Sequence, residues 1–171
     1  MCQLTFINTH NSKLNALALQ FSLLINSREK HKDGFGFYNS GTGLVKFVER
    51  PSLVSLKDFT GKINNTPVIA HVRWASLTNN IRAIDVTNCH PFEKGDLILA
   101  HNGTLKFKDD PRMKLEIYKD MIDSEIFLTE FEKNYTERKG EKVFLSEVLS
   151  KTMEDFYGKF AFLIHNKFNN I

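Results

Sequence analysis

Two short apolar runs constrain most strongly what this chain can fold into. VIA lies within TPVIAHVRWA at 66–75 and LILA within DLILAHNG at 96–103, and each gives way to polar residues after a few positions. Runs this short, bounded by turn-forming residues, read as strands. CQLTFINT at 2–9 alternates loosely and carries β-branched and aromatic residues, which predicts a strand beginning at the terminus. GFGFYNS, then Gly41-Thr42-Gly43, then LVKFVE predict two strands joined by a glycine-rich hairpin, and GKFAFLIHN predicts a closing strand.

Helical spacing appears in three places. From Ser12, read as an N-cap, Leu14, Leu17, Ala18, Phe21, Leu24 and Ile25 recur at three- and four-residue intervals, predicting an amphipathic helix whose apolar face covers a sheet. Residues 123–138, with Ile126, Phe127, Phe131 and Tyr135, and 141–156, with Phe144, Val148 and Leu149, predict two more. The polar segment 76–90 reads as an ordered functional loop, since long structureless loops are uncommon in compact domains. Neither a repeat nor a linker interrupts the chain. Strands early, helices late and a returning strand give an α+β class, and 171 residues suit one domain over 1–171.

Composition narrows the function classes. Hydrophobic residues make up 42% and charged residues 25%, as in globular proteins, and fifteen phenylalanines imply a Phe-rich core. The net charge of +3 is scattered over REKHK, TLKFK and RKGEK, which is no nucleic-acid footprint. LNALALQFSLLI at 14–25 is interrupted by Asn15, Gln20 and Ser22 and follows no basic segment, so it is not read as an export signal. No apolar run reaches membrane-spanning length. Two cysteines and no export signal indicate a reduced, cytoplasmic setting.

Chemistry begins with Cys2. Removal of Met1, which a residue this small permits, would place a thiol and a free α-amine on one residue. Thiolates are strong nucleophiles, a free thiol has a pKa of about 8.5, and an α-amine near about 7.7–8.0 can take its proton at neutral pH. Cys2 by itself reads more readily as a small apolar residue buried in an edge strand, and only its company favours the nucleophile. HNG at 101–103 offers the Asn102 side chain and the Gly103 N–H to an oxyanion, and is also a common hairpin turn. Arg73, set among apolar neighbours, calls for a carboxylate, whether structural, such as Asp85 or Glu125, or belonging to a ligand held by two hydrogen bonds. Asp123, opening DSE, suits either a helix cap or a ligand's ammonium group. Gly34 and Gly36 of DGFGFY lack the third glycine of a dinucleotide fingerprint, and His71, Cys89, His90 and His101 lack the close paired spacing of zinc sites, so neither a cofactor nor a metal is expected.

In order, MCQL, HKDGFGFY, AHVRWAS, NCHPF, AHNGTL and DSEIF resemble the sequence blocks of class II glutamine amidotransferases, members of the N-terminal nucleophile (Ntn) hydrolase superfamily, over residues 2 to about 127. GKFAFLIH fits a later strand of the same domain, and HKDGFGFY is most similar to the free-standing, YafJ-like branch. The resemblance implies a four-layer αββα sandwich of mainly antiparallel sheets. It also implies cleavage of glutamine through a γ-glutamyl thioester with release of ammonia. Cys2 would be the nucleophile with its own amine as base, Asn102 and Gly103 the oxyanion hole, Arg73 the site for the substrate α-carboxylate and Asp123 for its α-amine, with Trp74 and Ser76 lining the pocket. Leu77-Thr78-Asn79 stands where synthase-linked relatives usually carry a glycine. The chain ends about where the family would supply further strands and helices, as a compact version or with a piece missing. A separate synthase subunit is the expected recipient of ammonia. A γ-glutamyl peptide hydrolase, or a catalytically silent domain binding an amino acid or a partner, are the alternatives.

Overall fold

The computed structural model describes residues 2–26, 33–50, 57, 59–74, 85–109, 111, 115–138 and 144–168. Within them run β1 (Gln3–Ile7), α1 (Ser12–Asn26), β2 (Phe35–Asn39), β3 (Gly43–Phe47), β4 (Val68–Val72), β5 (Phe92–Lys94), β6 (Leu97–Phe107), α2 (Asp123–Glu137), α3 (Leu145–Thr152) and β7 (Phe156–Asn166). One sheet has the order β1-β4-β2-β3 and the other β5-β6-β7. The β1/β4, β2/β3, β2/β4 and β5/β6 pairings are antiparallel. Contacts group the chain into two compact units, Met1–Asn102 with Phe162–Ile171, and Gly103–Ala161.

In the first unit, the two-residue period of the strands sorts side chains to opposite faces of the four-stranded sheet. Val68, Ala70 and Val72 of β4 join Phe35 and Phe37 of β2 in a core with Leu19 and Leu23 of α1. Ile69 of β4 and Tyr38 of β2 turn the other way and meet Ile98 and Ala100 of β6, with Leu4, Leu44 and Leu163 packed against them. That second core joins the two sheets and carries β6 to the neighbourhood of β1.

Helix α1 corrects the sequence expectation twice. Its cap is Asn11, whose Oδ1 accepts from the N–H groups of Lys13 and Leu14 at 3.0 and 3.1 Å. Its buried positions are Asn15, Leu19 and Leu23, while Leu14, Leu17, Phe21 and Ile25 are each half exposed or more. The rotation is fixed by a polar residue. Asn15 Oδ1 accepts from the Thr9 N–H and hydroxyl, and its Nδ2 donates to the carbonyls of Asn64 and Thr66. A buried amide satisfied at both ends outweighs one choice of leucine face over another.

The second unit is built on aromatic packing. Phe127 lies tilted against Phe131 and meets Phe156 edge-on, with centroids 5.9 and 5.2 Å apart. Phe107 joins Phe156 at 4.9 Å. Helix α2 forms as the spacing predicts, burying Ile126, Phe127 and Phe131. Helix α3 is shorter than expected: it ends at Thr152, a 3-10 turn covers Met153–Asp155, and Phe156 already belongs to β7. Phe144, counted in its apolar face, is exposed at the cap position.

Candidate active site

Cys2 precedes β1, and the register Gln3↔Val72 sets it opposite the residues that follow β4. There the backbone of Trp74 clasps the sulfur: the Trp74 N–H donates to Sγ at 3.4 Å and Sγ donates to the Trp74 carbonyl at 3.6 Å. Trp74, expected to line a pocket, is 44% exposed, and both its backbone N–H and its carbonyl reach the Cys2 sulfur. An N–H aimed at sulfur is a ready donor for negative charge on it.

Asn102 lies on β6 in alternation with Ile98 and Ala100, which places its side chain on the face turned towards β1. Its Nδ2 donates to the Cys2 carbonyl at 2.8 Å. Each amide NH2 carries two protons, so one remains for another acceptor.

Arg73 is held by its backbone. Its N–H donates to the Gly34 carbonyl at 2.8 Å, and its carbonyl accepts from the Asp33 N–H at 3.3 Å. Its Nη1 is buried and finds no acceptor among the described residues. Of the structural carboxylates considered from the sequence, Asp85 accepts from the N–H and hydroxyl of Thr87, capping the turn at Val86–Asn88. Glu125 accepts from the Ile122 N–H.

In the second unit, Gly103 has φ +138°, and a Cβ there would fall 2.1 Å from the Lys159 carbonyl oxygen. Asp123 is the first residue of α2 rather than its cap, which is Ile122. Its Oδ2 accepts from the Leu105 N–H at 2.8 Å and its Oδ1 from the Ser124 N–H at 2.9 Å. Ser76, the Leu77-Thr78-Asn79 stretch and most of the expected loop 76–90 lie outside the described residues.

Three histidines cluster, their rings tilted or edge-on to one another. The rings of His71 and His90 lie 4.6 Å apart between centroids, and His90 and His101 6.0 Å. Burial holds the His90 imidazole well below its usual range, and the neighbouring His71, His101, Lys46 and Arg73 push the same way. Among the described residues no group of three or more His, Cys, Asp or Glu side chains is placed to hold a metal ion.

Sequence reasoning passed over what the DGFG glycines do. A Cβ on Gly36 would sit 2.2 Å from the His90 carbonyl oxygen, and one on Gly34, whose φ is +130°, 2.8 Å from Cys89 Sγ. These glycines admit the NCHPF segment against β2. Their pairing with no nucleotide motif was the available signal.

The sequence pattern of class-II glutamine amidotransferases matches residues 1–167. The chain belongs to that family. A curated relative, the 7-cyano-7-deazaguanine synthase of Sulfolobus acidocaldarius, is 28% identical over 99% of this chain and 37% of its own length. Among solved structures, the glutamine phosphoribosylpyrophosphate amidotransferase of B. subtilis superposes with a TM-score of 0.59 at 17% identity, covering 98% of this chain and 35% of that one. An allosteric regulatory enzyme of purine biosynthesis gives the same TM-score and identity, covering 98% and 36%. At that identity the likeness is one of fold, and it agrees with the α+β architecture of antiparallel sheets expected of the Ntn amidotransferases. The amidotransferase chain spans little more than a third of the length of these relatives. Among the described residues no helix is long and apolar enough to cross a membrane.

Proposed function

We propose that this amidotransferase chain hydrolyses the side-chain amide of glutamine with Cys2 as nucleophile and delivers the ammonia to a separate synthase subunit. The observation that carries the reading is the hydrogen bond from Asn102 Nδ2 to the Cys2 carbonyl, because it brings a candidate oxyanion donor to the residue that bears the sulfur.

After removal of Met1, the freed α-amine of Cys2 takes the thiol proton. The thiolate attacks the amide carbon of glutamine, forming a C–S bond and moving the carbonyl electron pair onto oxygen. The second Asn102 amide proton and the Gly103 N–H receive that oxyanion. As the oxyanion collapses, the C–N bond breaks and the α-ammonium returns its proton to the leaving nitrogen, which departs as ammonia. Water, deprotonated by the same amine, then cleaves the γ-glutamyl thioester to glutamate and restores the thiol. Arg73, whose buried Nη1 has no hydrogen-bond partner among the described residues, suits the α-carboxylate of the substrate. Asp123 is proposed for the α-ammonium on the sequence resemblance alone. The synthase subunit accords with the curated relative, itself a 7-cyano-7-deazaguanine synthase, of which this chain matches a minor part.

The test is a glutamate-release assay on protein whose N-terminus has been weighed by mass spectrometry. Glutamine should turn over only where Met1 is absent, and Cys2→Ala should abolish release. Full activity beneath an uncleaved N-terminal tag would refute the proposal, and preference for γ-glutamyl peptides would move it to the peptidase reading.

A further inference from the structure

Asp123 makes contacts that binding a substrate ammonium does not require. It stands first in α2, and its two oxygens accept from two backbone N–H groups, Oδ1 from Ser124 at 2.9 Å and Oδ2 from Leu105 at 2.8 Å. The Ser124 bond orients the carboxylate on its own helix. The Leu105 bond reaches a strand. Among the described residues β5 pairs with β6 over Leu97–Leu99, and beyond that pairing the Asp123 side chain takes the Leu105 N–H. A backbone N–H on a carboxylate is a charge-assisted hydrogen bond, stronger than the amide–carbonyl bonds of a strand ladder.

The second unit begins with Gly103, on the same strand. At φ +138° this residue occupies a backbone region open to glycine, and it has no side chain of its own to anchor it. The direction of its N–H is therefore set by what holds the neighbouring backbone. Strand β7 presses close: a Cβ on Gly158 would fall 2.2 Å from the Thr104 carbonyl oxygen, as one on Gly103 would from that of Lys159 at 2.1 Å. Leu105 is fixed twice, by a side chain only 3% exposed and by its N–H on Asp123. The anchor is itself rigid, since Glu125 Oε2 accepts from the Ile122 N–H at 3.2 Å in the same turn and Ile126, Phe127 and Phe131 bury α2. An oxyanion donor acts only when aimed where charge develops, and a misplacement of about 1 Å can cost on the order of a hundredfold in rate.

We propose that Asp123 is a positioning residue for the Gly103 N–H, holding the β6 backbone through Leu105, a role separate from recognition of the substrate ammonium. Each carboxylate oxygen has two lone pairs, so the two roles are compatible. The inference rests on the reading of Gly103 as an oxyanion donor given above.

Two substitutions and one aldehyde separate the roles. Asp123→Ala removes both acceptors, whereas Asp123→Asn removes the charge and keeps one acceptor oxygen for Leu105. Each variant is assayed for glutamate release and for inhibition by glutarate semialdehyde, which has the carbon chain of glutamine with an aldehyde in place of the amide and no α-amine. The Cys2 thiolate adds to the aldehyde carbon, forming a C–S bond and moving the carbonyl electron pair onto oxygen, so the adduct presents an oxyanion without an ammonium group. Asp123→Ala should lower kcat about tenfold to a hundredfold and weaken aldehyde inhibition by a similar factor. Asp123→Asn should recover both to within about fivefold of the parent, while KM for glutamine stays raised. In the parent protein the adduct should move the Gly103 amide-proton resonance downfield, and in Asp123→Ala it should move it less. Asp123→Ser, whose side chain is one bond shorter, replaces the alanine variant if that does not fold. A folded variant with raised KM but parental kcat and aldehyde affinity, or equal losses of kcat in the alanine and asparagine variants, would overturn the inference and leave the Gly103 reading standing. A Gly103 resonance that the adduct does not move in the parent would remove that reading, and the inference with it.

Discussion

The Asn102 side-chain amide donates to the backbone carbonyl of Cys2 across one hundred positions of sequence, at 2.8 Å. The bond ties the start of β1 to the middle of β6, so the sulfur and the amide are fixed by strands of two different sheets. Replacement of Asn102 by alanine removes both the tie and the proposed oxyanion donor. Loss of one such donor costs about a hundredfold to a thousandfold in kcat, so glutamate release by Asn102→Ala should fall by that factor with the chain still folded.

The two thiols differ in exposure. Cys2 is half-buried beside the Trp74 backbone, and Cys89 is fully buried and pushed towards the protonated form. A glutamine-like electrophile should label one thiol per native chain, at Cys2, and two after denaturation. Peptide mapping of the label checks this; native labelling confined to Cys89 would favour a silent binding domain.

Glycines 103 and 43 both have positive φ but differ in their surroundings. A methyl group on Gly103 collides with the Lys159 carbonyl, whereas one on Gly43 meets nothing within 4 Å. Gly43→Ala should cost about 1 kcal/mol, the penalty of the left-handed region alone. Gly103→Ala adds a backbone collision and should cost more than about 3 kcal/mol or prevent folding. Chemical denaturation of the two variants measures the difference.

His90 gives stability an acid limit. It stays neutral when folded and takes a proton near pH 6.5, roughly its ordinary value, when unfolded. Because the folded value is depressed, the unfolded chain binds the extra proton below that pH. The contribution of His90 is therefore complete above about pH 6.5 and is lost at about 1.4 kcal/mol per pH unit as pH falls further, until the folded imidazole itself titrates. Urea midpoints taken from about pH 7.5 down to pH 5 should fall, and His90→Gln should flatten the slope.

The rotation of α1 is testable by substitution. Leu19 is fully buried and Leu17 half exposed. Leu19→Ala should cost about 2–5 kcal/mol, and Leu17→Ala less than about 1 kcal/mol. Equal costs would mean that the helix packs on the face its leucine spacing suggested.

Strands β2, β3, β4 and β6 were legible because their determinants are local. Short apolar runs, alternation and a glycine turn act over a few residues, and neighbours in sequence are enough to specify them. The identity of Cys2, Arg73 and Asn102 as candidates was legible for a similar reason: each is a residue type that stands out chemically from its own segment. The face of α1 was not, since leucines line both sides and the choice fell to Asn15, whose partners at Thr9, Asn64 and Thr66 are set by the fold. The β5 strand was also missed; three residues long, it exists through its pairing with β6.

Sequence by itself determined the α+β class, the family and the candidate residues for its chemistry. Tertiary structure decided which atoms meet: the Trp74 backbone N–H and carbonyl at the Cys2 sulfur, the Asn102 amide on the Cys2 carbonyl, and the Cys89 sulfur against the Phe47 carbonyl. The reason is one of range. Periodicity and turn chemistry are encoded between neighbours, whereas these contacts depend on strand register and on the space left by glycines at 34 and 36, which only the packed chain defines.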